Sequence, residues 1–470
     1  MRLRLTGEDN MKIEILLVCA VVLAAGAPSF GGQSPGGTPA AEEGHRGDLL
    51  KEVEVAREAF ESETDDAARH AYAQLLFESG SFEQARATVA PLVSSPEPST
   101  DALRLAARLA FLMGDYGEAE SLFLRLLERD PADARARSGL LFCCYQTNRF
   151  SRYAELSPEG GEEVRHPHAT LMAAFGEKRP YEIEWTGPRA AELPFLSMDP
   201  LPIVEVEIDG RKVAALIDTG ADLFILDTEV AEELGVEPVA TMMGMFAGGK
   251  QAEIGFAETE TLTLGSAKLR HVPISLLPTR ALSLGEIEIG GIIGTGILKQ
   301  FLSTVDYPRE RLTLREREWD ASSGLPEALV RSLVAEVPFY LEATHVILTH
   351  GSLNGYEGLL WHVDSGLAGE PSLAAPEQTL RYVGIPVPEV AVHEGVVGGG
   401  GGGFAVGQFD IATLGLGPLE QPDLAGSFGG QPPGSYRRFG FIMDGLISHN
   451  FLRRYAWTLD FDRMKMVFTR

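Results

Sequence analysis

Leu216-Ile217-Asp218-Thr219-Gly220-Ala221-Asp222 sets a lone aspartate at the end of an apolar run, followed by a hydroxyl residue and a glycine. Trp361-His362-Val363-Asp364-Ser365-Gly366-Leu367 does the same 146 residues later (364 − 218). A glycine-led apolar patch follows each: Gly291-Ile292-Ile293-Gly294 after 73 residues (291 − 218), and Gly445-Leu446-Ile447-Ser448 after 81 (445 − 364). One Asp-Thr-Gly says little, because all three residues are ordinary turn formers. Two copies in matched surroundings say more.

The surroundings do match. Ile203 to Ile208 alternates in part like a half-buried strand, Asp209-Gly210 is a hairpin signal, and Val213 to Ile217 delivers Asp218. Val346-Ile347-Leu348, Asn354-Gly355 and Leu359 to Val363 repeat that arrangement ahead of Asp364. Thr263-Leu264-Gly265 recurs as Thr413-Leu414-Gly415, 150 residues on (413 − 263). Phe301 to Tyr307 parallels Tyr455 to Phe461, 154 residues on (455 − 301). The upward drift of the offset marks small insertions in the second copy. The chain repeats one all-β unit.

This pairing resembles the aspartic peptidases of the retropepsin-like type, whose site needs two Asp-Thr/Ser-Gly loops and which usually obtain the second by dimerising. The resemblance implies an all-β bilobal domain, a tandem retropepsin-like pair within one chain, with Asp218 and Asp364 as the catalytic dyad. It implies support from Thr219, Gly220, Ser365 and Gly366, the hydroxyls bracing the loops across a pseudo-twofold axis. Two adjoining carboxylates cannot both ionise cheaply, so they share a proton: one activates water, the other donates to the scissile carbonyl. The second copy departs from the pattern at Leu367 (Ala221 in the first), Ser448 (Gly294) and Ser365 (Thr219). A second lobe that no longer cuts is the alternative.

Such a peptidase also closes a hairpin flap over an extended substrate. Met243 to Gly249 is the candidate, with Met245, Phe246 and Gly248 at its tip. The second half offers Gly395-Val396-Val397 and six glycines, Gly398 to Gly403, read as a surface loop whose edges flank the cleft.

Upstream, Gly80-Ser81-Phe82-Glu83-Gln84-Ala85 returns as Gly114-Asp115-Tyr116-Gly117-Glu118-Ala119, 34 residues on (114 − 80), and Phe150 keeps the step. With helical apolar spacing at Leu103, Ala106, Ala107 and Ala110, this resembles a tetratricopeptide array. Such hairpins stack because none buries its apolar face alone, and the array's expected work is to hold a partner or an extended peptide. The expectation at this level is a separable module, dispensable for cleavage of short peptides.

The remaining signals set limits. At 470 residues and 44% hydrophobic the chain has ample material for packed cores, and a formal charge of −27 argues against nucleic acid. Arg2, Arg4 and Lys12 precede an apolar run from Ile15 to Ala25, and Ala25-Gly26-Ala27 fits a cleavage site, so export is expected, with no membrane span once the signal is removed. An uncleaved anchor is the runner-up, and Met11 is an alternative start. Adjacent Cys143 and Cys144 disfavour a disulfide framework. No cofactor and no metal is expected: His166-Pro167-His168 is read as an exposed loop pair, and His362 as a packing residue.

The expected organisation is a signal peptide over 1–27, a linker over 28–48 and tetratricopeptide-like repeats over 49–156. A connector over 157–200, a first lobe over 201–318, an inter-lobe linker over 319–335 and a second lobe over 336–470 complete it. The leading function is an exported aspartic endopeptidase acting on peptides or proteins as a monomer. A binding scaffold with a degenerate peptidase-like domain, and lobes that pair between molecules, remain open.

Overall fold

The computed structural model describes residues 23–24, 46–63, 65–156, 166–246, 249–282, 287–317, 326–392, 403–431 and 434–470. Apart from Leu23 and Ala24, which pair antiparallel with Met245 and Gly244, the expected signal peptide and most of the linker lie outside the described residues.

The helical region starts with α1 (Arg46–Glu63). Three hairpins follow. Helices α2 (Asp66–Glu78), α4 (Thr100–Leu112) and α6 (Ala134–Gln146) begin 34 residues apart (100 − 66, 134 − 100). Their partners α3 (Phe82–Val93), α5 (Tyr116–Arg129) and α7 (Phe150–Leu156) keep the same step (116 − 82, 150 − 116). The local chemistry repeats with them. Asp65, Ser99 and Asp133 cap the first helix of each hairpin by accepting from Ala68, Ala102 and Ala136 N–H. Each hairpin turns through a left-handed residue, Gly80 (φ 85°), Gly114 (φ 81°) and Asn148 (φ 56°). Asparagine is among the few side chains that visit this region readily, so the third hairpin keeps the turn without the glycine.

The β region repeats its own topology. Ile203–Ile208 and Arg211–Ile217 form an antiparallel hairpin through Asp209-Gly210, both at positive φ. The glycine-led strand Ile289–Ile293 then inserts parallel to Arg211–Ile217 and antiparallel to Phe224–Asp227. In the second half Val346–Leu353 and Tyr356–Val363 pair through Asn354-Gly355, also at positive φ. Gly445–Ile447 again inserts parallel to the strand that delivers the aspartate and antiparallel to Leu373–Ala374.

The halves are sewn together by one sheet. The part of it that joins them runs Ala190–Ser197, Arg311–Arg315, Leu302–Asp306, Ala456–Asp460, Lys465–Thr469 and Leu333–Pro338. At its middle Thr304 faces Thr458, its counterpart under the 154-residue offset (458 − 304), and their hydroxyls lie 2.7 Å apart. A residue that meets its own counterpart marks the pseudo-twofold axis.

Three expectations need correction. The stretch 157–200 is not a plain connector: it carries α8 (Pro167–Phe175), Glu182–Trp185 and Ala190–Ser197. Leu171, Met172 and Phe175 bury the apolar face of α8, which accounts for its order. The inter-lobe linker ends earlier than 335, because Leu333–Pro338 joins the shared sheet. The helical array is also no separable module. Phe77, Phe82, Leu103 and Phe111 share one core with Tyr340, Leu348, Leu360, Phe439 and Phe441 of the β region. Arg46 reaches Asp444 at 2.6 Å, both buried, and Arg108 donates to the Phe439 carbonyl at 2.8 Å.

The isolated fragment 182–470 is therefore expected to aggregate or to lose its cooperative melt, since it bares that shared core. Gel filtration and thermal unfolding of the fragment check this; a soluble monomer with a sharp transition would contradict it.

Candidate active site

The two aspartates arrive at equivalent places for the same reason. Each follows a strand flanked by the glycine-led strand of its own half, which fixes its backbone. Asp218 N–H donates to the Ile293 carbonyl at 3.1 Å, and Asp364 N–H to the Ile447 carbonyl at 2.9 Å. Each carboxylate then accepts from the glycine two residues on, Gly220 N–H to Asp218 Oδ1 at 2.7 Å and Gly366 N–H to Asp364 Oδ1 at 3.0 Å.

Between them the loops exchange hydrogen bonds reciprocally. Thr219 N–H donates to Ser365 Oγ and Ser365 N–H to Thr219 Oγ1, both at 3.0 Å. The hydroxyls pass on to carbonyls across the axis, Thr219 Oγ1 to Val363 at 2.9 Å and Ser365 Oγ to Ile217 at 3.3 Å. Every member is buried, so each bond counts more than at a surface.

The glycines bring the carboxyls together. A Cβ on Gly220 would stand 2.7–2.9 Å from the Asp364 carboxyl atoms, and one on Gly366 would overlap the Asp218 carboxyl still more closely. Any side chain at either position would drive the loops apart. Asp218 and Asp364 are each 0% exposed. Burial, then the charge of Asp364, pushes the Asp218 pKa well above the usual carboxylate range, against the pull of the Gly220 and Gly366 N–H groups. Two acids coupled in this way give up their protons in separate steps.

The departures of the second copy are absorbed locally. Gly294 is packed under the Leu223 and Ala221 carbonyls with no room for a Cβ. Ser448 has that room: its Oγ donates to the Pro371 carbonyl at 2.6 Å and accepts from Asn450 N–H, capping His449–Leu452. Leu367 is buried.

Of the hairpin candidates, Met245 ends a strand, Ala240–Met245, paired with Gln251–Leu264. Phe246 follows, wholly buried, its N–H donating to the Lys250 carbonyl at 2.8 Å. Gly248 lies outside the described residues, as does the second-half glycine run except Gly403.

Sequence reasoning missed the residues that surround Asp222, four positions beyond Asp218. Its Oδ1 accepts from the Tyr145 hydroxyl at 3.0 Å, and its Oδ2 lies 2.9 Å from His168 Nε2. Burial alone would raise its pKa, but the His168 hydrogen bond, with the charges of His168 and His345 and the Tyr145 hydroxyl, holds it below the ordinary value. His166-Pro167-His168 is therefore no exposed loop: Pro167 opens α8, and His168 is buried against Phe256, their ring centroids 5.0 Å apart. A signal for Tyr145 was present, since it occupies the place of Phe77 and Phe111 in the 34-residue register (111 − 77, 145 − 111). His362 is buried, and burial pulls its pKa to about 3, as suits a neutral packing residue. Away from the dyad, Glu258, Glu260 and His271 bring ligand atoms within 4.8 Å of one another and could hold a cation, although Lys178 already pairs with Glu258.

Residues 204–297 match a family model described as Aspartyl protease. The match spans Asp218 and the patch from Gly291 to Gly294, and the second aspartate loop lies beyond it. Among solved structures, a retropepsin-like aspartic protease from Rickettsia conorii aligns at 16% identity over 29% of this chain and 94% of that one, with a TM-score of 0.20.

Replacing Ser365 with alanine strips the Thr219 N–H of its buried acceptor and is expected to cost about 1–3 kcal/mol. Thr219→Ser keeps the hydroxyl and should cost less. Denaturant unfolding of both variants measures the difference.

Proposed function

We propose that the chain is an aspartic endopeptidase whose two loops, Asp218-Thr219-Gly220 and Asp364-Ser365-Gly366, complete one site within a single polypeptide. The observation that carries the reading is the mutual placement of the carboxyls: each lies against the glycine of the opposite loop. Two acids so close, with one raised in pKa, suit a division of labour. The ionised carboxylate takes a proton from water, and the protonated one donates to the carbonyl oxygen of the peptide as the tetrahedral intermediate forms. The roles then reverse as the leaving amine is protonated. No group outside the dyad is required for that cycle.

The finer parts of the reading stand on other features. A tandem retropepsin-like pair is supported by the repeated strand topology and by the Thr304–Thr458 contact on the axis. With both loops in one chain, the active form is a monomer. The hairpin bearing Met245 and Phe246 is a flap by its position after the first loop. Tetratricopeptide-like character for the helical array rests on its 34-residue register, and a protein partner or substrate is its expected ligand. Export rests on the basic and apolar character of the amino terminus; no described helix is long and apolar enough to cross a membrane.

A second reading, a peptide-binding scaffold that does not cut, is favoured by one observation: neither aspartate has exposed surface. Substitution separates the two. Asp218→Asn and Asp364→Asn should each lower cleavage of an unfolded protein substrate by about 100-fold or more. Cleavage at wild-type rates in both would remove the peptidase reading. The pH profile gives an independent check. Because the Asp218 pKa is raised, its proton persists above the ordinary carboxylate range, so the rate should be highest in acid and fall as pH climbs past that raised value. A rate still rising toward about pH 9 would contradict a shared proton.

A further inference from the structure

We propose that the last helical hairpin and α8 form a built-in lock seated over the aspartate pair, so that the chain as described is a latent form of the peptidase. The inference rests on the reading of the dyad as catalytic and adds how access to it is governed.

A hydrolytic dyad must admit water and an extended peptide, and the surfaces beside it must face an open groove. Here those surfaces are packed against helices. Ala221 and Leu223, which directly follow the first loop, share one buried core with Leu141, Cys144 and Tyr145 of α6 and Leu171, Met172 and Phe175 of α8. Ala368, four residues beyond Asp364, joins the same core from the second half, and Phe246 joins it from the closing hairpin. The helices thus cover the first loop, the flank of the second and the hairpin together. A substrate strand would need the same three elements.

The cover is clasped by polar contacts on both halves. Gln146, the last residue of α6, donates through Nε2 to the Ala343 and Thr344 carbonyls at 2.8 and 3.0 Å. Its Oε1 and carbonyl accept from Lys299 Nζ at 2.6 and 2.8 Å, and Lys299 belongs to the first half. At the centre, Tyr145 and His168 hold Asp222.

Both sides of that central contact break the repeats they belong to. In the helical register, positions 77 and 111 are phenylalanine, and 145 alone carries a hydroxyl. Under the 146-residue offset, the counterpart of Asp222 is Ala368 (368 − 222), which offers no acceptor. The hydroxyl and the carboxylate are each absent from the sister positions and meet each other here. Packing alone explains neither.

The test uses the full chain. Tyr145→Phe restores the residue that the other two hairpins carry, and combining it with His168→Leu, which has no donor, removes both clasps on Asp222. Hydrogen exchange across 218–223 and 240–246, and cleavage of fluorescein-labelled, denatured casein at pH 5, are measured on wild type and on the double variant. Asp218→Asn in the double variant serves as the blank. A lock predicts faster exchange in both segments and cleavage raised about 10-fold or more, the effect of losing roughly one charged hydrogen bond. If wild type cleaves as fast as the double variant and exchange is unchanged, the lock is overturned while the peptidase stands. If exchange accelerates but casein stays intact in every variant, the helices cover the loops but the peptidase reading falls, and latency falls with it. Met172→Asp, which places a charge in the apolar part of the cover, should act in the same direction; slower exchange would overturn the proposal.

Discussion

The architecture turns on one reciprocal exchange: the backbone of each aspartate loop donates to the hydroxyl of the other. Two buried acids side by side repel whenever both are ionised, and the arrangement persists only if something else fixes their distance. Thr219 and Ser365 do so with four buried bonds that leave no orphaned hydroxyl. Gly220 and Gly366 then decide how near the carboxyls come, since a methyl group at either place would occupy the space of the opposite acid. The raised pKa of Asp218 follows from this bracing and is not a separate feature.

Much of this was legible in the chain. Asp209-Gly210 and Asn354-Gly355 predicted two hairpins, and both turns run through positive φ. The offset at Phe301 and Tyr455 predicted equivalent strands, and the equivalence is close enough that Thr304 lies opposite Thr458. The bracing role expected of Thr219 and Ser365 corresponds to the bonds they make. What failed to show was contact between modules. Periodicity reports which face of an element is apolar, never what covers it, so the core shared by Phe82, Phe441 and Tyr340 had no sequence signature. The stretch around His166-Pro167-His168 misled for a related reason. Charge and proline suggested a spacer, while the three apolar residues that fold α8 are too few for periodicity to register.

The helical and β regions divide their contacts unevenly. Arg46 and Arg108, from α1 and α4, engage the second half through Asp444 and the Phe439 carbonyl. Tyr145 and His168 engage the first half through Asp222. Charged groups carry all these junctions, and every one is buried. Breaking any single pair leaves an uncompensated charge in a low-dielectric interior, which is costly even where the intact pair adds little net stability. Such junctions fix relative orientation more than they add adhesion.

The opposition of Asp222 to Ala368 has a consequence for symmetry. In an assembly of two identical polypeptides, whatever stands beside one loop must stand beside the other, and an appendage seated on one flank would meet its twin across the dyad. A single polypeptide that carries both loops is under no such obligation. Each flank is then free to differ, an anion standing at 222 and a methyl group at 368, and a one-sided cover becomes attainable.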